Sequence, residues 1–491
     1  MRGVSAGALT ALVVAALADC SGADRPPSAP VINAPVDSGS DVTMASDDTD
    51  ASTKPPPHDA SVETSSDDAD DGATDDAPAE ASTISPDGCN SQSDAGVIAM
   101  VCGGHCVNVA IDNTNCGGCN QLCGTVPGTS CVTGQCVCPV PQVVCGGQCV
   151  DKTQDVSNCG FCGHNCTGSP CSGGLCQASL IAQTVQGGVL PHTVAAAIAV
   201  DSNYVYWTQA PGVGSDPGVF QKAFAGGAPN GPWGSPDPRG LTVSGHNVYW
   251  ADYQTAAVNA GSLIAGPSGG VTPLAAGSRP LAVASDGQNV YWTDSTAGTI
   301  NQTALAGVDA GSTLVLASNR SFPVAIAVDA TNVYWIDNGT LANTGSVSRV
   351  PIGVANATIT PIATSENLPW ALALYPPFTS QTSTPPAATT VYWTNQTNPG
   401  TVKSAQTAAP GGAPTVIAQN QLAPYGIAVD SQSVYWTNFD GNTVVKAPLA
   451  GGAEYVLASG ANLNIPTSIA VDSVNVYWAN QGNGTIFKVA K

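Results

Sequence analysis

Seven times the chain spells an aromatic pair: Tyr206-Trp207, Tyr249-Trp250, Tyr291-Trp292, Tyr334-Trp335, Tyr392-Trp393, Tyr435-Trp436 and Tyr477-Trp478, at intervals of 43, 42, 43, 58, 43 and 42 residues. That period accommodates one four-stranded unit, which predicts a β-propeller. Adjacent residues on a strand point to opposite faces, so each pair puts one ring on either side of its blade, where neighbouring blades cover both.

The stretch from Tyr425 to Gly460 shows the unit plainly. It reads Gly426-Ile-Ala-Val-Asp430, Val434-Tyr-Trp-Thr437, Thr443-Val-Val-Lys-Ala-Pro-Leu449, a Gly451-Gly452 turn and Tyr455-Val-Leu-Ala458. Short β-rich runs broken by Asn, Asp and Gly predict four strands, a to d from the axis outward. Further a strands are expected at Ile198-Asp201, Leu281-Val283, Ile326-Asp329 and Ile469-Asp472. The last unit stops at Lys491 after strand c, while Ser179-Leu-Ile-Ala-Gln183 nearly repeats the d strand Thr415-Val-Ile-Ala-Gln419. The expectation is an all-β, seven-bladed ring in which residues 179 to 185 complete the last blade, so that no sheet edge stays open. The Asp ending strand a recurs in most blades, which favours a turn-forming role over metal ligation. Lys222, Arg349, Lys403, Lys446 and Lys488 read as one recurring position on strand c. The 58-residue interval contains an insertion, Pro376 to Thr390, expected as a long loop on blade five.

The second-strand motif resembles the YWTD propellers of low-density-lipoprotein-receptor relatives, with Tyr291-Trp-Thr-Asp294 a full match. Elsewhere the Asp becomes Gln209, Asn395, Asn438 or Asn480. That family closes with six blades, whereas seven pairs are present here.

Four segments are expected: 1–19, 20–87, 88–177 and 178–491. The first has Arg2, an apolar run from Ala6 to Leu17 and no acid before Asp19, the layout of a signal peptide and too short for a spanning helix. Leu17-Ala18-Asp19-Cys20 resembles a bacterial lipobox with Cys20 as the lipidated residue, and Ser21 resembles an outer-membrane sorting signal. Ala16-Leu17-Ala18 offers ordinary secretion instead. Residues 21 to 87 hold 16 of the 35 acidic residues against Arg25 and Lys54, with few large apolar side chains, and are expected as a solvated, self-repelling spacer. A net charge of -22 without a basic footprint argues against nucleic acid as partner.

All cysteines but Cys20 fall between residues 89 and 176. Cys102, Cys106, Cys116, Cys119, Cys123, Cys131 and Cys136 form one frame, and Cys145, Cys149, Cys159, Cys162, Cys166, Cys171 and Cys176 repeat its first four gaps; Cys89 and Cys138 bring each copy to eight. The phrases Cys102-Gly-Gly-His-Cys106-Val-Asn108 and Asn115-Cys-Gly-Gly-Cys-Asn-Gln-Leu-Cys123 resemble the stigma-specific cysteine-rich repeat. Zinc is the rival reading, with His105 and His164 nearby, but an exported, Gly-rich module poor in apolar residues favours disulfides. Each copy allows four bridges in 105 pairings.

Catalysis would need titrating groups around a substrate. The ring has His192, His246, Glu366 and Glu454 as its only histidines and glutamates, and His246 falls in an a-to-b turn. The expected catalytic, metal and cofactor sets are therefore empty. A recognition face is easier to place. Loops from d to a and from b to c emerge on one side of a propeller, and the former carry Arg239, Arg279, Arg320, Phe322, Trp370 and Tyr425, residue types that dominate interface energetics. The expectation is a monomeric, non-enzymatic lipoprotein of the outer membrane or cell surface, tethered to the membrane only through its lipid and binding a protein or glycan. The alternative is a propeller hydrolase or lyase acting on a lactone or carbohydrate, with Asp294 or Asp337 as acid and base.

Overall fold

The computed structural model describes residues 99–183, 195–211, 216–376, 389–408 and 411–491. The signal segment, Cys20, the acidic segment, Cys89, His192 and most of the blade-five insertion lie outside them.

Seven four-stranded antiparallel sheets follow one another, each in the order a-b-c-d. Blade one is built from Ala195–Val200, Tyr204–Gln209, Gly218–Ala223 and Asn230–Gly234. Blade seven is built from Pro466–Val471, Asn475–Asn480, Thr485–Ala490 and Ser179–Gln183. The N-terminal strand therefore closes the ring, with Thr485 opposite Gln183 and Lys488 opposite Ser179.

All fourteen rings of the repeated pairs are at most 4% exposed. Trp faces the preceding blade and Tyr the following one. Trp436 Nε1 donates to Gln421 of blade five at 2.9 Å, while Tyr477 of blade seven stacks with Phe224 of blade one at 5.4 Å. The Asp ending strand a serves two purposes at once. In blade six Asp430 Oδ1 accepts the backbone N-H groups of Gln432 and Ser433, and Oδ2 accepts the Tyr435 hydroxyl at 2.9 Å. The same phenol bond forms at Tyr206-Asp201, Tyr291-Asp286, Tyr334-Asp329 and Tyr477-Asp472. Burial and the adjacent carboxylate push these phenols well above the usual tyrosine range.

Strand a begins earlier than its apolar run suggests. In blades two to seven it opens on a proline, Pro238, Pro280, Pro323, Pro369, Pro424 and Pro466. A first residue on the axial edge has no ladder partner for its N-H, so proline costs nothing there. Every a strand then changes register within four residues. Where strand b supplies Thr after Tyr-Trp, its hydroxyl fills that irregularity. Thr208, Thr293, Thr394 and Thr437 accept from Ala197, Ala282, Ala371 and Gly426 in their own blades. Thr208, Thr394 and Thr437 also donate to a carbonyl of the next blade, on Arg239, Tyr425 and Thr467.

The basic residues on strand c do not share one position. Arg349, Lys446 and Lys488 stand opposite a Tyr of strand b, whereas Lys222 stands opposite Val205 and Lys403 opposite Trp393. A shift of one residue reverses the face. Lys403 therefore points toward blade four, away from the side taken by Lys446 and Lys488.

The cysteine-rich segment consists of short two-stranded hairpins stapled by disulfides. In the second copy the bridges are Cys138–Cys149, Cys145–Cys162, Cys159–Cys171 and Cys166–Cys176. The first copy repeats the pattern with Cys102–Cys119, Cys116–Cys131 and Cys123–Cys136, and Cys106 is also disulfide-bonded. Sulfurs of Cys116, Cys123 and Cys136, and of Cys159, Cys166 and Cys176, lie within 4.8 Å of one another in their groups. All six of these sulfurs are taken up in disulfides.

Candidate functional site

In each of blades two to seven one hydrogen bond ties the two loop sets of the expected recognition face together. The residue after strand b donates its N-H to the residue before, or at, the start of strand a: Tyr253 to Asp237, Ser295 to Arg279, Asn338 to Phe322, Gln396 to Leu368, Phe439 to Ala423 and Gln481 to Ile465, at 2.9 to 3.1 Å. Four of these acceptors, Phe322, Leu368, Ala423 and Ile465, adopt positive φ of 52° to 58° just before the proline. Left-handed backbone is costly for such residues. Its recurrence in four consecutive blades makes it a feature of the blade entry.

The six expected recognition residues form two pairs and leave Arg320 and Phe322 apart. Arg239 and Arg279 converge on Tyr253, their guanidinium carbons 5.1 and 4.8 Å from the ring centroid. Arg239 is 5% exposed and forks onto Asp237, with Nε to Oδ1 at 2.8 Å and Nη2 to Oδ2 at 2.9 Å. Arg279 is exposed and donates to the Tyr253 hydroxyl at 2.8 Å. Across the ring, Trp370 and Tyr425 meet at 5.3 Å, and Tyr425 stacks on Phe439 at 5.6 Å. Both are buried, at 6% and 2% exposure, so these two rings cement blades five and six. Arg320 is half-buried, reaches Asp337 at 3.4 Å and lies 6.0 Å from the Trp335 ring. Phe322 is half-buried against the core. Tyr253 and Phe439 occupy equivalent positions after strand b; the sequence reading missed both, although each directly follows the strand-ending Asp or Asn of a Tyr-Trp motif.

The carboxylates on this side are committed to structure. Asp294 is 1% exposed; its Oδ1 accepts N-H groups of Arg279, Thr296 and Ala297, and its Oδ2 that of Ser278. Asp252 accepts N-H groups of Gln254 and Thr255 and the hydroxyl of Ser235, which in turn accepts Trp250 Nε1. Asp337 accepts Ser346 at 3.2 Å besides Arg320, and burial holds its carboxyl above the usual range despite the guanidinium. Glu366 is 3% exposed at the end of strand d of blade four and accepts from Trp393, Asn395 and Lys403 of blade five. Glu454 accepts Gln421 Nε2 at 2.8 Å. His246 is an exposed turn residue whose carbonyl accepts Leu263 N-H.

His164 is the titratable group that sequence reading left without a role. It is 3% exposed where the second cysteine-rich copy meets blades six and seven. Its Nδ1 lies 2.6 Å from the Cys159 carbonyl and its Nε2 3.4 Å from that of Ala490, so each ring nitrogen faces an acceptor. Phe161 stacks on it at 4.4 Å, touches Tyr455 at 4.6 Å and carries Lys446 Nζ at 4.5 Å from its ring. Burial, aided by Lys446, holds the imidazole below the usual histidine range although both carbonyls pull the other way. Cys159, Cys166 and Cys176 join Ala182, Leu457, Ile486 and Val489 in one apolar cluster. The module is thus continuous with the core of the ring. No periodic signal marks such a contact, because it occurs once.

No family model matches the chain, and no curated protein does. Among solved structures it is similar to selenomethionine-substituted virginiamycin B lyase from Staphylococcus aureus, at 14% identity over 64% of this chain and 99% of that one, with a TM-score of 0.47. It is also similar to a chain of the nidogen/laminin complex, at 19% identity over 53% and 88% and a TM-score of 0.37. A third is regucalcin, a calcium-binding protein from Agrobacterium tumefaciens, at 14% identity over 51% and 89% and a TM-score of 0.37. Values this low transfer neither activity nor partner.

Proposed function

We propose that this chain is a non-enzymatic binding protein, exported and held at the cell surface by a lipid on Cys20, whose ring offers its loop-bearing face to a protein or glycan. The observation that carries this reading is the contrast within that face. Its acids are engaged with turn N-H groups, indoles or cations, leaving little for proton transfer, while Arg279 stands exposed on the Tyr253 ring. A guanidinium braced by a phenol is suited to carboxylate, sulfate or hydroxyl-rich ligands. The full chain, probed against glycan and surface-protein arrays, is expected to give a selective signal that Arg279→Ala abolishes; an unchanged signal moves the site elsewhere. Replacing Cys20 by Ser is expected to release the protein from the membrane fraction.

A hydrolase or lyase reading is favoured by one feature, the carboxyl of Asp337, which burial keeps ready to hold a proton beside Arg320. Turnover of lactone or glycan substrates that disappears in Asp337→Asn, with the fold intact by circular dichroism, would replace the binding role.

A further inference from the structure

The boundary between blades four and five departs from the rest of the ring in two residues, Glu366 and Lys403, and the carboxylate between them also holds Asn395, an asparagine that blades six and seven repeat as Asn438 and Asn480. At the two other boundaries where the preceding blade receives the indole, the acceptor is neutral: Ser235 for Trp250 and Gln421 for Trp436. Here it is Glu366, whose Oε2 accepts Trp393 Nε1 at 3.2 Å. Opposite the indole-bearing residue on strand c the other blades place Phe220, Asn259, Asn301, Ser348, Val445 and Phe487; blade five places Lys403. Strand b ends here on Asn395, two residues beyond Trp393 and so on the same face. One carboxylate oxygen, Oε2 of Glu366, holds Asn395 Nδ2 at 2.6 Å and Lys403 Nζ at 3.0 Å, and Oε1 holds Lys403 again at 3.1 Å. Asn395 is 4% exposed, and its Oδ1 is buried without a hydrogen-bond partner among the described residues. Thr401 Oγ1 also touches Nδ2, at 3.1 Å.

We propose that Lys403 and Asn395 form an intramolecular isopeptide bond, with Glu366 as the proton-transferring catalytic residue. An amine, a carboxamide and a buried carboxyl are the components such a bond requires, and they are preorganised on two adjacent strands and a facing one. The reaction starts with one proton passing from Lys403 Nζ to the Glu366 carboxylate it touches, which leaves an amine and a carboxylic acid. The Nζ lone pair attacks Cγ of Asn395, Glu366 takes the proton from the attacking nitrogen and delivers one to Nδ2, and the Cγ-Nδ2 bond breaks. Ammonia leaves, one amide replaces another, and no oxidant, metal or co-reactant takes part. The product stitches strand b to strand c in the blade that also carries the long insertion.

The test is mass spectrometry on the full chain purified after expression. The bond removes one ammonia, about 17 Da, and blocks trypsin at Lys403, since an acylated lysine lacks the charge trypsin recognises. The expected product is therefore a peptide running from Val350 to Lys446, lighter by that amount than its unlinked form. Glu366→Gln copies the residue that Gln421 supplies at the next boundary, so the fold is expected to persist while the mass returns to full value and Lys403 becomes cleavable. Lys403→Arg should likewise show no loss. Normal cleavage at Lys403 in the wild-type chain overturns the proposal, as does the same mass loss with Lys403 cleavable, which would indicate an Asn succinimide. Loss of water with Glu366 inside the linked product would also overturn it, by placing the bond on the carboxylate.

Discussion

The hydroxyl of Thr437, buried on strand b of blade six, donates to the carbonyl oxygen of Thr467 on strand a of blade seven at 2.6 Å, a hydrogen bond from one blade to the next. The same hydroxyl accepts Gly426 N-H at 2.9 Å. Replacing Thr437 by Val keeps the shape and orphans a buried donor and a buried acceptor. The expected loss is about 2 to 4 kcal/mol in urea unfolding, largely restored by Ser. An unchanged midpoint would mean that these groups find other partners.

Acid should loosen the contact between the cysteine-rich module and the ring. The folded imidazole of His164 lies below its unfolded value, so its contribution is complete above about pH 6.5 and declines as pH falls through the lower folded value. Thermal melts between neutral and mildly acidic pH are expected to slope downward in the wild type. In His164→Gln the slope should flatten, leaving the carboxylate transitions at lower pH unchanged.

The phenols bound to Asp201, Asp286, Asp329, Asp430 and Asp472 titrate in the opposite sense. Their folded values are raised, so the stability they confer is present below about pH 10 and disappears as pH climbs beyond it. In an alkaline titration the phenolate absorbance of these five should appear together with loss of near-ultraviolet dichroism. Stepwise ionisation of all tyrosines in a ring that stays folded would contradict this.

Ala256 sits at φ 55° in the b-to-c turn of blade two, where blades three and seven have Gly298 and Gly484 at 61° and 63°. Left-handed geometry costs alanine about 1 to 2 kcal/mol, and glycine returns part of that as chain entropy. Ala256→Gly is expected to raise stability by about 0.5 to 1 kcal/mol, measured by chemical denaturation.

Much of the ring was legible because its code is local and repeated. Tyr-Trp fixes the two buried faces of strand b, and the likeness of Ser179–Gln183 to the d strand near Thr415 reveals the closure. Signals that depend on register were harder. Lys403 and Lys446 look equivalent because each follows the Tyr of its Tyr-Trp pair by 11 residues, but one residue of offset in register sends them to different neighbours. Trp370 and Tyr425 read as surface-seeking aromatics beside a loop, yet each finds the other across a blade boundary that no linear pattern encodes. The phenol-carboxylate bonds explain why Asp recurs after strand a, and the sequence alone offered only the turn half of that role.

The closing strand has a consequence for synthesis. Ser179 to Gln183 emerges early and waits for Thr485 to Ala490, about 300 residues later in the chain. Until that partner is made, the nascent ring carries two unsatisfied rims, one at each end of its arc, and contacts of such long sequence separation form slowly. Translation halted before Thr485 would therefore leave a gap in the circle.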